Sequence, residues 1–517
     1  MIVNSTCIAS SGSNSPSDWA KPISGASISA VRGILRGDGW GRAIRLLGPL
    51  AALVLEGWPA LIGALAVQET GLWVAGRIGG RCQEHDSRLA PRLFLAAYAA
   101  RVAITLPTHY ILKMRDGVGG LPGFQDDYSY SLVGESLVEI ARGEPLAIFP
   151  GHQHVLDGVY PYILMGLYWV FGYTPLVPKL VNSGLGALSA VLVFDITRRT
   201  FSGRAAMLAG IGAALLPSLV IWSLGIFKES LLLFVTLVGL RLIQFACTNR
   251  GPTSRSRDAL VLFFAVLMLL LDLRYIVAVI MVGLLVIALT TNARRRFSAH
   301  LSVLLVSALL GAILIVCAVF IAHTGIGSRP ASTILGDTAL EIRHRRAQEA
   351  AGANTAIRQN SEVQSPTGSE LPAAEAASDN SPFSIESDIV EPFGFAILAP
   401  TPWQVRSLPE LGLAAEMLVW YLLLAGTGVL WFRRPERHQL FIVCLILYAA
   451  ANYVVLAAAE GNLANLVRHR LVVYPALLIL GSAGVEELRH SFPGAIIHGR
   501  SGARRALLSV VGTGLDE

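Results

Sequence analysis

The stretch "DALVLFFAVLMLLLDLRYIVAVIMVGLLVIALT", residues 258 to 290, decides what kind of protein this is. It is apolar apart from Asp258 at its head and Asp272 and Arg274 at its middle. About 20 apolar residues already suffice to cross the hydrocarbon core of a bilayer as a helix, so the run is too long for one crossing. Charges at the centre of a span are costly in lipid. The stretch is therefore read as a hairpin of two short helices that turns at Asp272 and Arg274.

Working outward, further apolar runs occur at 91–111, 177–197, 204–221, 229–247, 299–322, 412–432, 438–458 and 471–486. Of the 517 residues, 53% are hydrophobic and only 15% charged, against about 25% charged in an average soluble domain. The chain is predicted to be an all-α polytopic membrane protein with about 10–11 transmembrane helices. Its net charge of +6 gathers in arginine clusters between the runs, which report topology and imply no nucleic acid. Five cysteines (Cys7, Cys82, Cys247, Cys317, Cys444) show neither CxxC spacing nor an obvious pair, so neither a disulfide framework nor a structural zinc is expected.

The basic clusters fall at Arg198, Arg199 and Arg204; at Arg250, Arg255 and Arg257; at Arg294 to Arg296; at Arg433, Arg434 and Arg437; and at Arg489, Arg500, Arg504 and Arg505. The positive-inside rule places all five in the cytoplasm. With the 258–290 hairpin counted as two, two spans separate each cluster from the next, as that placement demands. Residues 112–176 then form a first external loop and 323–411 a second, the latter rich in Ala, Ser, Glu and Asn and expected to be largely disordered. The segment "VYPYILMGLYWVFGYTP", 159–175, would break the parity as a span, so it is placed as a helix lying in the outer interface. Residues 46–67, interrupted by Gly57-Trp58-Pro59, fit either a hairpin or an eleventh span.

The domain plan is then a disordered cytoplasmic leader over 1–45 and a hydrophobic hairpin or extra span plus loop over 46–90. A transmembrane core follows over 91–322, then the loop 323–411, C-terminal helices over 412–486 and a cytoplasmic tail over 487–517. The Ser-rich beginning lacks the basic stretch and apolar core of a cleavable signal peptide. No internal repeat is evident, and the charges gather at one membrane face, which argues against a secondary transporter.

Within the first loop, "GFQDDYSYSLVGES" (123–136) carries two adjacent carboxylates. Val133, Leu137 and Ile140 recur at helical spacing, and Gly143 and Pro145 supply a stop, so Asp126 and Asp127 head a helix. Asp126, Tyr130 and Gly134 share one face. Carboxylates at a helix N-terminus also serve as ordinary caps, and that reading stays open.

The order Asp126-Asp127-x-x-Tyr130-x-x-x-Gly134 resembles the first-loop motif of the GT-C superfamily of membrane glycosyltransferases, in particular the bacterial branch similar to protein mannosyltransferases and the lipid A aminoarabinose transferase. Tyr160-Pro161-Tyr162 and Phe171-Gly172, the turn Phe201-Ser202-Gly203-Arg204, "KESLLLFVTLVGL" (228–240) and "RHRLVVYPALLIL" (468–480) extend the likeness over roughly 91–486. The resemblance implies a GT-C-like fold with interfacial helices in the first periplasmic loop, and sugar transfer from a polyprenyl-phosphate donor to a hydroxyl of a glycan, lipid or protein acceptor. It implies a multi-pass protein of the bacterial cytoplasmic (inner) membrane, surrounded by membrane lipid, with its active site facing the periplasm.

Asp126 is then the candidate base. Asp127, Tyr130, His154 and Asp157 are candidates for sugar, acceptor or metal contact, with Asp127 suited to a divalent cation such as Mg or Mn, though no cofactor is certain. Lys228, Arg274, Arg468 and Arg470 are candidates for the lipid phosphate. Each has a plainer use: Lys228 beside Glu229, Arg274 beside Asp272, and the arginines in ordering a loop. His152 and His154 at i, i+2 are a poor zinc pair. An O-antigen-type polymerase or ligase is the alternative enzyme reading.

Overall fold

The computed structural model describes residues 38–80, 88–116, 119–121, 125–144, 158–248, 254–294, 394, 397–398, 408–433, 440–459 and 463–491. Among them the chain is all-helical, without strands. The N-terminal pair α1 (Asp38–Glu56) and α2 (Trp58–Gly79) turns on Gly57 at φ 77°, a left-handed conformation that glycine adopts without a Cβ clash. Gln68 Nε2 donates to the Arg45 carbonyl at 3.2 Å, joining points nearly equidistant from the turn. Residues 46–67 thus take the hairpin form, and its first helix begins inside the expected leader.

Among the described residues six helices are long and apolar enough to cross a membrane: α3 (Leu89–Asp116), α6 (Leu176–Thr200), α9 (Glu229–Thr248), α10 (Ser254–Arg294), α11 (Leu408–Arg433) and α12 (Leu440–Ala459). The chain is therefore a multi-pass membrane protein. A further crossing is available if α13 (Leu463–His469), the 3₁₀ turn Arg470–Val472 and α14 (Tyr474–Ser491) count as one span bent by 68°. The run expected at 299–322 and nearly all of the 323–411 loop lie outside the described residues, as does the tail beyond Ser491.

Helix α10 confirms the hairpin. Its backbone leaves helical geometry at Arg274 (φ −165°, ψ 88°). A methyl group placed on Gly239 of α9 would meet Val266 at 3.4 Å and Met281 at 3.5 Å. In a straight helix those two residues stand about 22 Å apart along the axis. Both arms touch one glycine only because the chain folds back between them.

The run 204–221 departs from expectation. It divides into α7 (Gly203–Leu215) and α8 (Pro217–Ile221), with Leu216 extended between them, because proline has no N–H to donate and excludes the helical conformation from the residue before it. The carbonyls released at Ala213 and Ala214 accept from Arg101 of α3 at 3.1 and 3.0 Å, while Arg101 also donates to the Ala97 carbonyl and Ser223 Oγ. Arg101 is completely buried. The charges therefore do not all gather at one membrane face: one guanidinium sits within α3, tolerated because each of its nitrogens donates to a polar atom.

Small residues set the closest helix contact. A Cβ on Gly484 of α14 would fall 1.7 Å from the Gly426 carbonyl of α11, and Gly481 meets Leu423 backbone the same way. Backbone approach through small residues is the usual means by which helices associate in lipid. This pairing seats the last helix, and with it the segment that carries Arg468.

Candidate functional site

The acidic pair heads helix α4 (Gln125–Ala141), whose end is set by Gly143 at φ 90°, its N–H donating to the Ile140 carbonyl at 2.9 Å. This is the predicted start and stop. Successive residues on a helix point about 100° apart, and the two carboxylates accordingly separate. Asp127 turns inward and is 1% exposed. Its Oδ1 accepts from Ile226 N–H at 2.7 Å and its Oδ2 from Leu121 N–H at 2.9 Å, with Lys179 Nζ 3.7 Å away. Lys179 in turn donates to the Gly119 carbonyl at 2.5 Å. Asp127 thus joins three pieces of chain.

Asp126 turns outward to the neighbouring helices. Its Oδ2 lies 2.5 Å from Arg468 Nη1, across 342 residues of sequence, while Arg468 Nε donates to Glu229 Oε1. The guanidinium also stacks over the Trp222 ring, 5.5 Å from its centre. Glu229 is buried, and its second oxygen, Oε2, has no hydrogen-bond partner. One arginine is therefore held between two carboxylates and an indole, at the meeting of α4, α9 and α13.

Lys228 and Arg274 join this cluster electrostatically. Burial first lowers the pKa of the Lys228 ammonium; Glu229 opposes that, Arg468 and Arg274 add to it, and Asp126 opposes it more weakly. Lys228 sits in the turn after α8, which Asn182 of α6 pins by donating to the Gly225 and Phe227 carbonyls at 2.7 and 3.0 Å. Asp272 does not serve only as a neighbour for Arg274: it accepts from Val159 N–H at 2.8 Å and so caps α5 (Val159–Phe171).

Tyr130 packs edge-on against Tyr160, ring centres 5.0 Å apart, and is nearly buried. Burial raises its phenol pKa, and Glu229 and then Asp126 raise it further. Gly134, a turn further on, lets α4 approach α5: a Cβ there would lie 2.8 Å from Leu164 Cβ. The shared face of Asp126, Tyr130 and Gly134 is thus a packing face, with its carboxylate end left 35% exposed.

Arg470 is placed apart. It is 1% exposed, lies 5.5 Å from the centre of the Trp420 ring and contacts Met417 Sδ at 3.3 Å. Nearby, Tyr474 donates to Glu416 Oε1 at 2.5 Å, and Glu416 Oε2 accepts from Ser218. Two residues along a helical turn swing a side chain through about 200°, which separates Arg470 from Arg468. His152, His154 and Asp157 lie outside the described residues.

Glu229, Trp222 and Lys179 are the participants that sequence reasoning did not single out. A glutamate in the first turn of a span reads as an ordinary dipole partner, and nothing in its neighbourhood announces an arginine 239 residues away. Each Asp127 oxygen accepts from one backbone N–H, and Asp126 faces Arg468. Among the described residues no group of three or more His, Cys, Asp or Glu is placed to hold a metal. An apolar groove of about 680 Å³ between α1 and α3, lined by Leu47, Ala51, Tyr98 and Val102 among others, contains none of the charged cluster. No protein-family model matches the chain, and no curated protein matches it.

Proposed function

We propose that the protein is a GT-C-type glycosyltransferase of a bacterial cytoplasmic membrane, transferring a sugar from a polyprenyl-phosphate donor to an acceptor hydroxyl on the periplasmic face, in cell-envelope glycan or glycolipid synthesis. The observation that carries this reading is the ion-paired chain Asp126–Arg468–Glu229 with Lys228 and Arg274 close enough to bias it. A carboxylate for an acceptor proton and several cations for a departing phosphate meet at one place, drawn from segments far apart in sequence.

In the resting pair the Asp126 oxygen Oδ2 is occupied by the Arg468 guanidinium, so the two must part before the carboxylate meets an acceptor hydroxyl. A phosphate competes for the same fork, since Arg binds phosphate oxygens in two-point fashion. On this reading donor binding draws Arg468 toward the phosphate and releases Asp126. The acceptor oxygen then attacks the anomeric carbon, the bond from that carbon to the phosphate oxygen breaks, and the acceptor proton passes to Asp126. Polyprenyl phosphate leaves, its charge balanced by Arg468, Lys228 and Arg274. Helices α4 and α5, the latter only about 20 Å long, lie in the outer interface and roof the site. Asp127 holds the framework.

Mass spectrometry of surface glycans and envelope lipids tests this directly, comparing cells carrying the natural protein, Asp126→Asn, or no protein. The expected result is one glycan or lipid species that loses a sugar-sized mass when the protein is absent. The same loss is expected with Asp126→Asn, since a positioned base contributes roughly 10²- to 10⁴-fold. Identical profiles with and without the protein overturn the assignment.

A further inference from the structure

Cys247 and Cys444 have no motif in common, yet the fold brings them together. Cys247 is the penultimate residue of α9, and Cys444 lies in the first turns of α12. The two helices pack on one another, and the Cys247 and Cys444 side chains lie within interaction range of each other. Neither is in a disulfide; Cys444 is fully buried and Cys247 only partly. The sequence spacing shows no obvious pair; the proximity comes from the packing of α9 on α12.

We propose that Cys247 and Cys444 are a dithiol modification site that closes to an intramolecular disulfide by exchange with a small-molecule disulfide. The asymmetry in access assigns the order. The Cys247 thiolate attacks one sulfur of the small disulfide, forming a mixed disulfide and releasing one small thiol. The Cys444 thiolate then attacks the Cys247 sulfur and expels the second small thiol. Two protein thiols lose two electrons and two protons, and one small disulfide becomes two thiols. Thiols on packed helix ends have a short approach to bonding geometry, which requires the two Cβ atoms to come within about 4 Å.

The bond would join elements that bear on the charged cluster from the other end. Helix α9 begins at Glu229, and α12 braces the turn after Arg468, because Tyr448 donates to the Val472 carbonyl at 2.7 Å. With the orientation proposed above, the basic clusters at 250–257 and 433–437 set these helix ends at the cytoplasmic face. Cytosolic thiols are kept reduced, so the dithiol is the resting form and closure follows oxidation of the glutathione pool. The proximity itself is independent of the sugar-transfer reading.

The test uses the full chain in isolated membranes, incubated with oxidised glutathione, denatured with excess alkylating agent and digested without reductant. The expected product is a linked peptide pair joining Cys247 to Cys444, two hydrogens lighter than its components and separated by reductant. In Cys444→Ser, Cys247 should accumulate as a stable glutathione adduct, because no second thiol resolves it. In Cys247→Ser, Cys444 should stay unmodified. Full alkylation of both residues in the oxidised natural protein overturns the proposal. So does a stable glutathione adduct on its Cys247, or pairing of either residue with Cys7, Cys82 or Cys317. These readouts come from the natural chain and stand even if a variant fails to fold.

Discussion

At the scale of single residues, Arg468 links function to stability more directly than any other side chain. Lysine carries a compact point charge without the planar fork whose Nε and Nη1 span Glu229 and Asp126. On the proposed reading, Arg468→Lys is therefore expected to lower kcat/KM at least tenfold, chiefly through a higher KM for the lipid-linked donor, with the fold retained. Arg468→Met removes the charge and strands Glu229, which is only 6% exposed. Breaking a buried ion pair costs about 3–5 kcal/mol, so its melting temperature in detergent should fall, and Glu229→Gln in the same chain should restore part of the loss. Asp127→Asn is a contrasting case: it sets an amide N–H against a backbone N–H. A loss of about 1–3 kcal/mol in thermal or denaturant melts is expected.

Lys228 supplies a pH prediction. Burial favours its neutral form, so its pKa lies below that of an ordinary lysine. If the ammonium holds the donor phosphate, affinity is full below that lowered pKa and declines as pH rises through it, earlier than an exposed lysine would allow. Lys228→Arg should move the decline to higher pH, because guanidinium does not titrate in that range. Donor affinity measured from pH 7 to 10 in both proteins checks this; superimposable profiles would remove Lys228 from the phosphate site.

At the scale of elements, the α4–α5 contact is the most exposed to a single substitution. Gly134→Leu places a side chain where even a Cβ sits 2.8 Å from Leu164. Overpacking of this kind costs about 1–3 kcal/mol. It should displace the Asp126 end of α4, so activity is expected to fall more than the melting temperature does. Helix α4 was legible in the sequence because what starts and stops it is local: an acidic pair in its first turn and Gly143 in a left-handed turn at its end. The Arg274 fold-back was legible for a similar reason, since a charge in the middle of an overlong apolar run leaves few alternatives. The break at Leu216 was hidden by apolar content, which is the same whether or not a proline splits the run. Arg101 was hidden because the carbonyls it satisfies come from a different helix, freed by that break.

At the scale of the whole molecule, the arginine clusters predict sidedness, which a pair of labels tests. In a chain otherwise lacking cysteine, Glu144→Cys should react with an impermeant maleimide added to spheroplasts. Arg204→Cys should react only after the membrane is opened. Both residues reacting from the same side would cancel the orientation and the periplasmic placement of the site. The charged cluster itself was half visible: Asp126 was a candidate from the motif it opens, and Lys228, Arg274 and Arg468 from their positions at span ends. Their convergence, and the exclusion of Arg470, depend on how α14 seats against α11 through Gly426, Gly481 and Gly484. Helix-on-helix docking at that resolution leaves no periodic mark on a sequence.

The 342 residues between Asp126 and Arg468 also fix a moment in the life of the chain. Asp126 emerges from the ribosome early, and its counter-charge arrives only with the final helices. Until then the carboxylate waits beside an unfilled place, so truncated products carry half a site and hold no matched charge. On the proposed reading, a nascent chain that ends before α13 should be inert toward donor lipid and a ready substrate for membrane quality control.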